Sequence, residues 1–282
     1  MRVIRSARQM AAVAQRLRRR GKTIGVVPTM GALHEGHLSL IRAAAAANDV
    51  VIVTVFVNPL QFGPGEDFKR YPRNVARDIR LARQAGADIV FAPSVQEIYP
   101  RGFGTVIDVG PIGQRWEGRS RPGHFRGVAT VVAALFHLTQ PTTAYFGRKD
   151  YQQTLVVKQL IRDLHLPVRL RVLPTVREPD GLAMSSRNQY LNASQRRRAT
   201  VLVRALRRAR AQIRGGERRA AAIAARLRRL IRLTPEARID YVALADADTL
   251  MPRRRLRGRV VLLVAVWIGR TRLIDNLLVD VS

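Results

Sequence analysis

Residues 26–40 read Val-Val-Pro-Thr-Met-Gly-Ala-Leu-His-Glu-Gly-His-Leu-Ser-Leu, and this stretch decides the fold. The β-prone run 23–27 predicts a strand that ends at Pro28, and a glycine-bracketed loop follows it. From His37 onward, leucines and a run of alanines predict a helix. A strand that turns through glycine into a helix start is typical of α/β proteins that bind phosphate, because backbone N–H groups and the helix dipole face the anion.

Two histidines in this loop are the first candidate site. His34 and His37 lie three apart, so a helix that begins near Glu35 lets both imidazoles face one anion. This geometry suits a triphosphate whose charge grows as a bond to the α-phosphorus forms. Zinc is the alternative ligand, but the zinc-protease signature has histidines four apart on a helix, and a spacing of three with a glycine between fits poorly.

The composition bounds the class of protein. A chain of 282 residues with 47% hydrophobic residues can build one large or two modest globular domains. The longest apolar run, 260–268, is too short to cross a bilayer and has the β-branched content of a buried strand, so we expect no membrane association. Because the chain has no cysteine, disulfides and thiolate metal sites are excluded, which fits a cytoplasmic location.

The net charge of +30 suggests a nucleic-acid partner when taken alone. However, the arginines accompany alanine and leucine in helical patterns, and no aromatic residues alternate with them to stack bases. We therefore expect a solvated basic face and no specific nucleic-acid partner. Residues 1–22 also lack acids, as transit peptides do, but Ser6 as an N-cap and an apolar stripe that includes Ile4 predict a helix of the folded protein.

A second candidate site follows the valine-rich run 50–57, which predicts a strand buried on both faces. The loop 58–65 then contains Gln61, and ligands of open α/β sheets bind at the carboxyl ends of strands. The Gln61 amide offers a donor and an acceptor to a substrate with hydroxyl and carboxylate groups. A solvent-exposed loop glutamine is the alternative.

The middle of the chain is less informative. Asp78 can approach a magnesium ion, but the favoured interpretation is an exposed aspartate paired with Arg77 or another neighbour. Arg121 and Arg126 either hold an anionic substrate or pair with acids at a subunit contact. The pattern also predicts helices over 74–84 and 128–138 and strands over 88–91, 105–109, 142–146 and 168–173.

A third candidate site is the glycine turn 147–153, which leads from a strand into a helix. Lys149 supplies a compact mobile charge that can follow a departing phosphate. Asp150 can accept a hydrogen bond from a ribose hydroxyl or cap the helix, and both interpretations stay open. Gln153, one turn on, can complete a second amide contact to an acid substrate.

A fourth candidate site is the segment Met-Ser-Ser-Arg-Asn at 184–188, placed after the predicted strand 168–173. Its two hydroxyls and one guanidinium make a mobile clamp for the β- and γ-phosphates, and Arg187 neutralises the departing pyrophosphate. We expect this segment and the histidine loop to serve one active site.

The remaining chain predicts a smaller α+β domain. Residues 195–214 and 217–233 are helical patterns, whereas 239–244, 259–267 and 271–279 alternate as strands. The predicted fold class is α/β, with a Rossmann-like parallel-sheet nucleotide-binding domain over 1–175. The smaller C-terminal α+β domain over 176–282 is predicted to act as a lid.

These motifs carry a family resemblance. The His-x-Gly-His pattern of residues 34–37 resembles the nucleotidylyltransferase superfamily, which includes the class I aminoacyl-tRNA synthetases, and 184–188 resembles its Lys-Met-Ser-Lys-Ser loop. The segments 56–62, 71–73 and 119–128 are similar to those of the pantoate–β-alanine ligase family. The resemblance extends through 272–276 and so covers essentially the whole chain.

The resemblance implies condensation of (R)-pantoate with β-alanine, driven by cleavage of ATP to AMP and pyrophosphate, with Mg²⁺ on the ATP and a homodimer as the assembly. It assigns pantoate to Gln61 and Gln153, and Gln61 is also the candidate for β-alanine; metal ligands stay unassigned. The implied catalytic residues are His37, His34, Lys149 and Arg187. The implied ATP-binding residues are Met30, Gly31, Ala32, Leu33, His34, Glu35, Gly36, His37, Gly147, Arg148, Lys149, Asp150, Val176, Met184, Ser185, Ser186 and Arg187.

The chain departs from the family at Arg148, where an acidic or similar polar residue is usual. Two rival functions stay open. Another transferase of the superfamily that acts on a phosphate acceptor would share the histidine loop, but it would favour arginine where Gln61 and Gln153 stand. A noncatalytic RNA-binding protein would explain the charge but not the phosphate loops.

Overall fold

The valine-rich runs form the centre of a parallel sheet in the computed structural model, which describes residues 1–281. Six strands lie in the order β1-β4-β3-β2-β5-β6, and each neighbouring pair is parallel. The predicted Rossmann-like α/β class is confirmed. The strands are β1 (Arg2–Ile4), β2 (Ile24–Thr29), β3 (Val50–Val55), β4 (Ile89–Phe91), β5 (Thr143–Gly147) and β6 (Arg169–Leu173).

The strand order reverses at β2, which positions the first candidate site. The chain leaves β2 for β3 on one side and later returns to β5 on the other. β5 pairs with β2 only at Gly25 and Val26, so the carboxyl end of β2 runs on without β5 beside it. Ligands of open α/β sheets bind at such a reversal. The loop that carries His34 begins at this end of β2.

Two expectations about these strands are wrong. Pro28 does not end β2 but pairs with Thr54 inside it. The missing proline N–H is tolerated there because β2 has a ladder on one side only beyond Val26. Ile4 belongs to β1 and pairs with Phe91, and is not part of the helical stripe that starts after Ser6.

Helices pack the faces of this sheet. The helix α2 (Glu35–Ala45) contributes Leu40, Ile41 and Ala44 to a core that also contains valines of β2 and β3. A fully buried Ile41 stabilises the fold by about 1.5–3 kcal/mol relative to an exposed side chain. The helices before residue 175 are α1 (Ala7–Arg19), α2 (Glu35–Ala45), α3 (Val75–Gln84), α4 (Val95–Ile98), α5 (Glu117–Ser120), α6 (His124–Thr139) and α7 (Tyr151–Asp163).

The segment 105–109, expected to be a strand, joins no ladder within residues 1–281. Its Ile107 N–H donates instead to the Thr130 hydroxyl at 3.0 Å, and Val106 keeps 43% of its surface exposed. The β-branched composition is present, but the described residues supply no neighbouring strand for it.

The C-terminal residues form an antiparallel sheet in the order β7-β8-β9, covered by arginine-rich helices. The predicted helix 195–214 is divided at Thr200, whose hydroxyl donates to the Arg197 carbonyl at 2.8 Å. The elements are α8 (Ala193–Ala199), α9 (Val201–Arg214), α10 (Ala220–Arg232), β7 (Ala237–Asp246), β8 (Gly258–Ile268) and β9 (Thr271–Val281).

The chain divides into two compact units. The first unit comprises Met1–Gln114, Arg121–Arg148 and Gln153–Pro174. The second unit comprises Arg115–Ser120, Lys149–Gln152 and Thr175–Ser282. In the described part of the chain, no helix has both the length and the apolar character that crossing a membrane requires.

Candidate active site

The helix α2 begins at Glu35, two residues before the apolar pattern that opens at His37, and the two histidines cap it. His34 is the N-cap, and its Nδ1 accepts a hydrogen bond from the Gly36 N–H at 3.2 Å. The Nδ1 of His37 accepts in turn from the His34 N–H at 3.4 Å. This arrangement is a capping box built from two imidazoles, and it satisfies backbone donors that the helix start would otherwise leave unpaired.

The capping contacts determine which nitrogen carries each ring proton. A neutral imidazole has one donor and one acceptor nitrogen, and here Nδ1 of both rings accepts. The proton therefore lies on Nε2 of His34 and of His37. The ring centroids are 4.1 Å apart with a 39° tilt, so the two rings are adjacent at the positive end of the helix dipole. The arrangement provides two N–H donors for a developing negative charge.

The backbone before His34 has an unusual course. Gly31 and Ala32 both have positive φ, +78° and +50°, and the second is uncommon for a residue with a Cβ. The Gly31 N–H donates to the Thr29 hydroxyl at 3.1 Å. Glu35 forms an ion pair with Arg42, which lies seven residues further along the same face of α2. The hydrogen bond from Arg42 lowers the pKa of the Glu35 carboxyl.

Gln61 is buried, with 8% of its surface exposed, on the short turn after β3. Its Oε1 accepts from the Asn58 Nδ2 at 3.1 Å, and its Nε2 donates to the Met30 sulfur at 3.0 Å. The Asn58 Oδ1 accepts from the Tyr99 hydroxyl at 2.7 Å, and burial raises the pKa of Tyr99. The first unit thus brings the predicted pantoate residue Gln61 together with Met30 of the predicted ATP set.

The carbonyl of Gln61 is held from the other side. It lies 2.8 Å from His124 Nδ1 and accepts from Arg121 Nη2 at 3.2 Å. Arg121 also makes a bidentate pair with Glu66, at 2.8 and 2.6 Å. The sequence left two roles open for Arg121, binding of an anionic substrate or pairing with an acid at a subunit contact. In the structure the acid that pairs with Arg121 comes from the same chain. This clamp fixes the backbone of the Gln61 turn.

Close packing of α6 also shapes this turn. A Cβ added to Gly127 would lie 2.1 Å from the Leu60 carbonyl oxygen, so only glycine permits the approach. The Gly127 carbonyl accepts from Asn58 Nδ2 at 3.1 Å. The Gln61 turn thus rests on α6 by backbone contact.

The turn after β5 carries the third candidate site. Gly147 ends β5 opposite Leu173, and Arg148 opens a short 3₁₀ turn through Asp150. Gln153 is half-buried near the start of α7, and its predicted contact with pantoate stays a prediction. Its neighbour Gln152 is buried and is occupied by backbone groups of residues 115–117.

In the second unit, Lys149 and Asp150 form an ion pair at 3.0 Å. Burial disfavours the charged carboxylate, but the charges of Lys149 and Arg187 hold the pKa of Asp150 below its ordinary value. Asn276 on β9 donates to the Lys149 carbonyl at 2.8 Å and fixes the turn. The second unit therefore groups Lys149, Asp150 and Arg187, three residues of the predicted ATP set.

The serine–arginine segment has a defined start. The Ser185 hydroxyl caps a 3₁₀ helix, Ser186–Tyr190, by accepting from the Arg187 N–H at 3.3 Å. The Met184 N–H donates to the Val176 carbonyl at 3.0 Å, which joins two further members of the predicted ATP set. These contacts order the segment that was predicted to hold the β- and γ-phosphates.

A buried ion-pair network lies behind the Lys149 turn in the second unit. Arg272 on β9 donates to both carboxylate oxygens of Glu117, at 2.7 and 2.9 Å, and to Asp240 at 2.6 Å. The Tyr241 hydroxyl donates to Glu117 at 3.1 Å, and burial, with the Glu117 charge, raises the pKa of Tyr241. The Glu117 N–H donates to Gln152, so the network reaches the first turn of α7, directly after the Lys149 turn.

The sequence prediction missed several polar residues that shape these sites. Asp78 is 1% exposed and accepts backbone N–H bonds, so the expectation of an exposed aspartate paired with Arg77 is wrong. A signal was present, because Asp78 and Ala82 share the buried face of α3 at a spacing of four. Asn58 and Glu117 carried no comparable signal. Within residues 1–281, no three His, Cys, Asp or Glu side chains cluster as metal ligands do.

Known protein families and sequences match this chain over nearly its whole length. A model of the Pantoate-beta-alanine ligase family matches residues 2–278. A pantothenate synthetase from Moorella thermoacetica is 57% identical over 265 residues, which is 94% of each chain. One from Heliobacterium modesticaldum is 52% identical over 281 residues and covers 100% of both chains.

Solved structures agree with these relatives. The pantothenate synthetase of Thermus thermophilus matches with a TM-score of 0.93 at 48% identity, over 98% of this chain and 99% of that one. The Francisella tularensis pantoate-β-alanine ligase, solved with β-γ ATP and β-alanine, matches with a TM-score of 0.80 at 36% identity, over 99% and 97%. Sequence and structure thus agree over almost the whole length, and the chain belongs to the pantoate–β-alanine ligase family of enzymes, which form a carbon–nitrogen bond.

Proposed function

We propose that the enzyme joins (R)-pantoate to β-alanine in two steps through a pantoyl adenylate. A pantoate carboxylate oxygen attacks the α-phosphorus of ATP, the bond from that phosphorus to the bridging oxygen breaks, and pyrophosphate leaves. The β-alanine amine then attacks the acyl carbon, and AMP departs with the bonding electrons. Family membership supports the overall reaction, and the ligands of the Francisella ligase support ATP and β-alanine as substrates.

The paired imidazoles at the start of α2 carry this proposal. Both Nδ1 atoms accept from backbone N–H groups, and we assign the Nε2–H groups of His34 and of His37 as donors to phosphate. Charge on the α-phosphate oxygens grows as the pentavalent phosphorus forms, so fixed donors stabilise that state more than the ground state. We assign the larger share of this effect to His37.

No protein nucleophile is needed for the first step, because phosphoryl-type transfer mostly requires positioning and charge stabilisation. The buried amide of Gln61 is assigned to pantoate, and the same residue is our candidate for β-alanine. Gln153 is assigned to pantoate as a second amide. The contacts of Asn58, His124 and Arg121 to Gln61 support a turn that is ordered before substrate binds.

The other ATP groups have separate roles in this proposal. Lys149 and Arg187 neutralise the departing pyrophosphate, and Asp150 accepts from a ribose hydroxyl. Its lowered pKa supports a carboxylate that stays charged near neutral pH. Mg²⁺ enters as part of the MgATP substrate. The remaining ATP contacts are assigned to Met30, Gly31, Ala32, Leu33, Glu35, Gly36, Gly147, Arg148, Val176, Met184, Ser185 and Ser186.

The remaining parts of the proposal rest on the family resemblance and on composition. They are a homodimeric assembly, a cytoplasmic location, a lid role for residues 176–282 and the absence of a specific nucleic-acid partner.

Pantoate-dependent exchange of labelled pyrophosphate into ATP tests the adenylate step. The expected result is exchange that requires ATP, Mg²⁺ and pantoate but not β-alanine. Exchange without pantoate would favour a different transferase of the superfamily. No exchange under any of these conditions, in a folded preparation, would contradict the proposal.

A further inference from the structure

The short loop between β2 and α2 has a backbone that it would not adopt unaided. Gly31 and the following Ala32 are both in the left-handed region, and for alanine this conformation costs of order 1 kcal/mol. The loop leads directly into His34, whose orientation depends on where the backbone of Leu33 lies. Some group must therefore hold these residues in place.

The Asp78 carboxylate is that group. Its Oδ2 accepts from the Ala32 N–H at 3.0 Å, and its Oδ1 accepts from the Leu33 N–H at 2.8 Å. A Cβ on Gly31 would lie 2.8 Å from the same Oδ2, so glycine there is what lets the carboxylate approach. Both oxygens are thus committed to the two residues that precede His34.

A second side chain of α3 holds the same loop from the other side. The Arg77 Nη1 donates to the Leu33 carbonyl at 3.2 Å. Asn74 caps the helix by accepting from the Arg77 N–H at 2.9 Å, which fixes the turn that presents both side chains. The N–H and the carbonyl of Leu33 are therefore both hydrogen-bonded to α3 side chains.

The placement of Asp78 is unfavourable by itself. The residue is 1% exposed, and burial raises the pKa of its carboxyl, while the N–H groups of Leu33 and Ala32 and the Arg77 charge act in the opposite direction. Burying a carboxylate to restrain a loop costs desolvation free energy, which an apolar side chain that filled the same space would not cost. An apolar side chain could not, however, accept two N–H groups, and that directional restraint is what the position provides.

We propose that Asp78 is a positioning residue, which fixes the peptides of Ala32 and Leu33 and thereby aims the Nε2–H groups of His34 and His37. It does not touch the reacting atoms. The inference rests on the proposed role of the two histidines in adenylate formation.

The test is Asp78→Asn, which keeps the size of the side chain but turns an amide NH₂ toward one of the two backbone donors. Losing one charge-assisted bond to the loop should lower kcat for pantoate-dependent pyrophosphate exchange by about 10- to 100-fold. KM for ATP and for pantoate should change by less than about threefold, because the substitution affects the orientation of the two imidazoles and not the binding of the substrates. In a His37→Ala background the same substitution should cost several-fold less than in the wild type, because His37, to which the larger share of the effect is assigned, is gone and only His34 remains to be aimed.

Asp49→Asn is the matched control. Asp49 also accepts a backbone N–H, that of Thr23 at 2.8 Å, in the first unit but at the amino end of β2. The Asp49→Asn variant should leave kcat unchanged within about twofold. Thermal unfolding of both variants shows whether they are comparably folded.

A second readout does not need activity. Imidazole ¹⁵N shifts should show His34 and His37 protonated on Nε2 in the wild type and should show mixed tautomers in Asp78→Asn. Normal kcat together with unchanged tautomers would overturn the inference. If the wild type shows no exchange at all, the proposed function fails, and the ¹⁵N shifts still decide the role of Asp78.

If Asp78→Asn does not fold, Arg77→Met takes its place, because this side chain is exposed. Removing the Leu33 carbonyl contact should lower kcat by about two- to fivefold, with a smaller loss in the His37→Ala background. Equal losses in both backgrounds would overturn the inference.

Discussion

The parallel sheet of the first unit and the antiparallel sheet of the second hold their candidate site residues by different means. In the first unit, single buried polar side chains on neighbouring elements bond to loop backbones, as Asp78 does to Leu33 and His124 to Gln61. In the second unit, the Lys149 turn is backed by a network of charges centred on Arg272. Parallel strands end in separate loops, and each loop needs its own restraint. An antiparallel sheet offers one broad surface on which several charged side chains can form a single ion-pair network. The two units should therefore respond differently to loss of one side chain.

The largest effect on stability is expected for Arg272→Ala. The substitution leaves Glu117, whose side chain is 6% exposed, without its guanidinium partner. Removing one member of a buried pair costs about 3–5 kcal/mol, and urea unfolding measures the loss. Arg259→Ala is the control, because its pair with Asp280 is 4.0 Å long and both side chains are largely exposed, so less than about 1 kcal/mol is expected. Similar losses for the two variants would show that the network contributes no more than a surface pair.

The next effect concerns activity in both units. His37→Ala and Arg187→Ala should each lower adenylate formation by about 10²-fold or more, comparable with losing one transition-state donor. Pantoate-dependent pyrophosphate exchange measures the rate. The exposed residues His137 and Arg197 supply matched alanine controls, which should retain activity. Near-normal rates in both test variants would mean that the roles are misassigned.

A smaller effect tests the backbone contact of the first unit. Alanine normally stabilises a helix interior relative to glycine by about 1 kcal/mol. In Gly127→Ala the new methyl would meet the Leu60 carbonyl, so we expect a loss of about 1–3 kcal/mol and a raised KM for pantoate. Gly104→Ala, which meets only one atom at 3.9 Å, should change neither quantity. A stabilised Gly127→Ala would show that the Gln61 turn shifts freely.

The smallest effect compares surface carboxylates of the two units. Hydrogen bonds from Thr23 and then Lys22 lower the pKa of Asp49 to about 2, and those from Arg219 lower the pKa of Glu217 to about 2. A depressed pKa in the folded state gives stability that is present above the ordinary pKa and is lost as pH falls toward 2. Asp49→Asn and Glu217→Gln should each flatten the fall in stability between about pH 4.5 and pH 2, as measured by urea unfolding at a series of pH values. An unchanged slope would count against these contacts.

Elements with strong local patterns were predictable from the sequence. The valine run of β3 and the amphipathic helices α9 and α10 follow from local sequence patterns. Elements that depend on a distant partner were not. The short strand β1 exists because β4 is beside it, whereas 105–109 has the composition of a strand but no partner strand among residues 1–281.

The same division holds for the candidate site. His34, Lys149 and Arg187 stand in local motifs, and residue type with spacing was enough to single them out. Asp78 and Glu117 act on residues 45 and 155 positions away, so their roles appear only when the fold brings them to those backbones and side chains. Whether the histidine loop and the serine–arginine segment serve one nucleotide stays a prediction.

The double imidazole cap has an evolutionary consequence. In the proposed mechanism each histidine supplies both a capping acceptor for the helix start and a hydrogen-bond donor to phosphate, so a substitution is penalised twice, once in folding and once in chemistry. Asparagine at position 34 would preserve the cap and lose the donor, which makes it the natural first step for a lineage that abandons catalysis while keeping the scaffold.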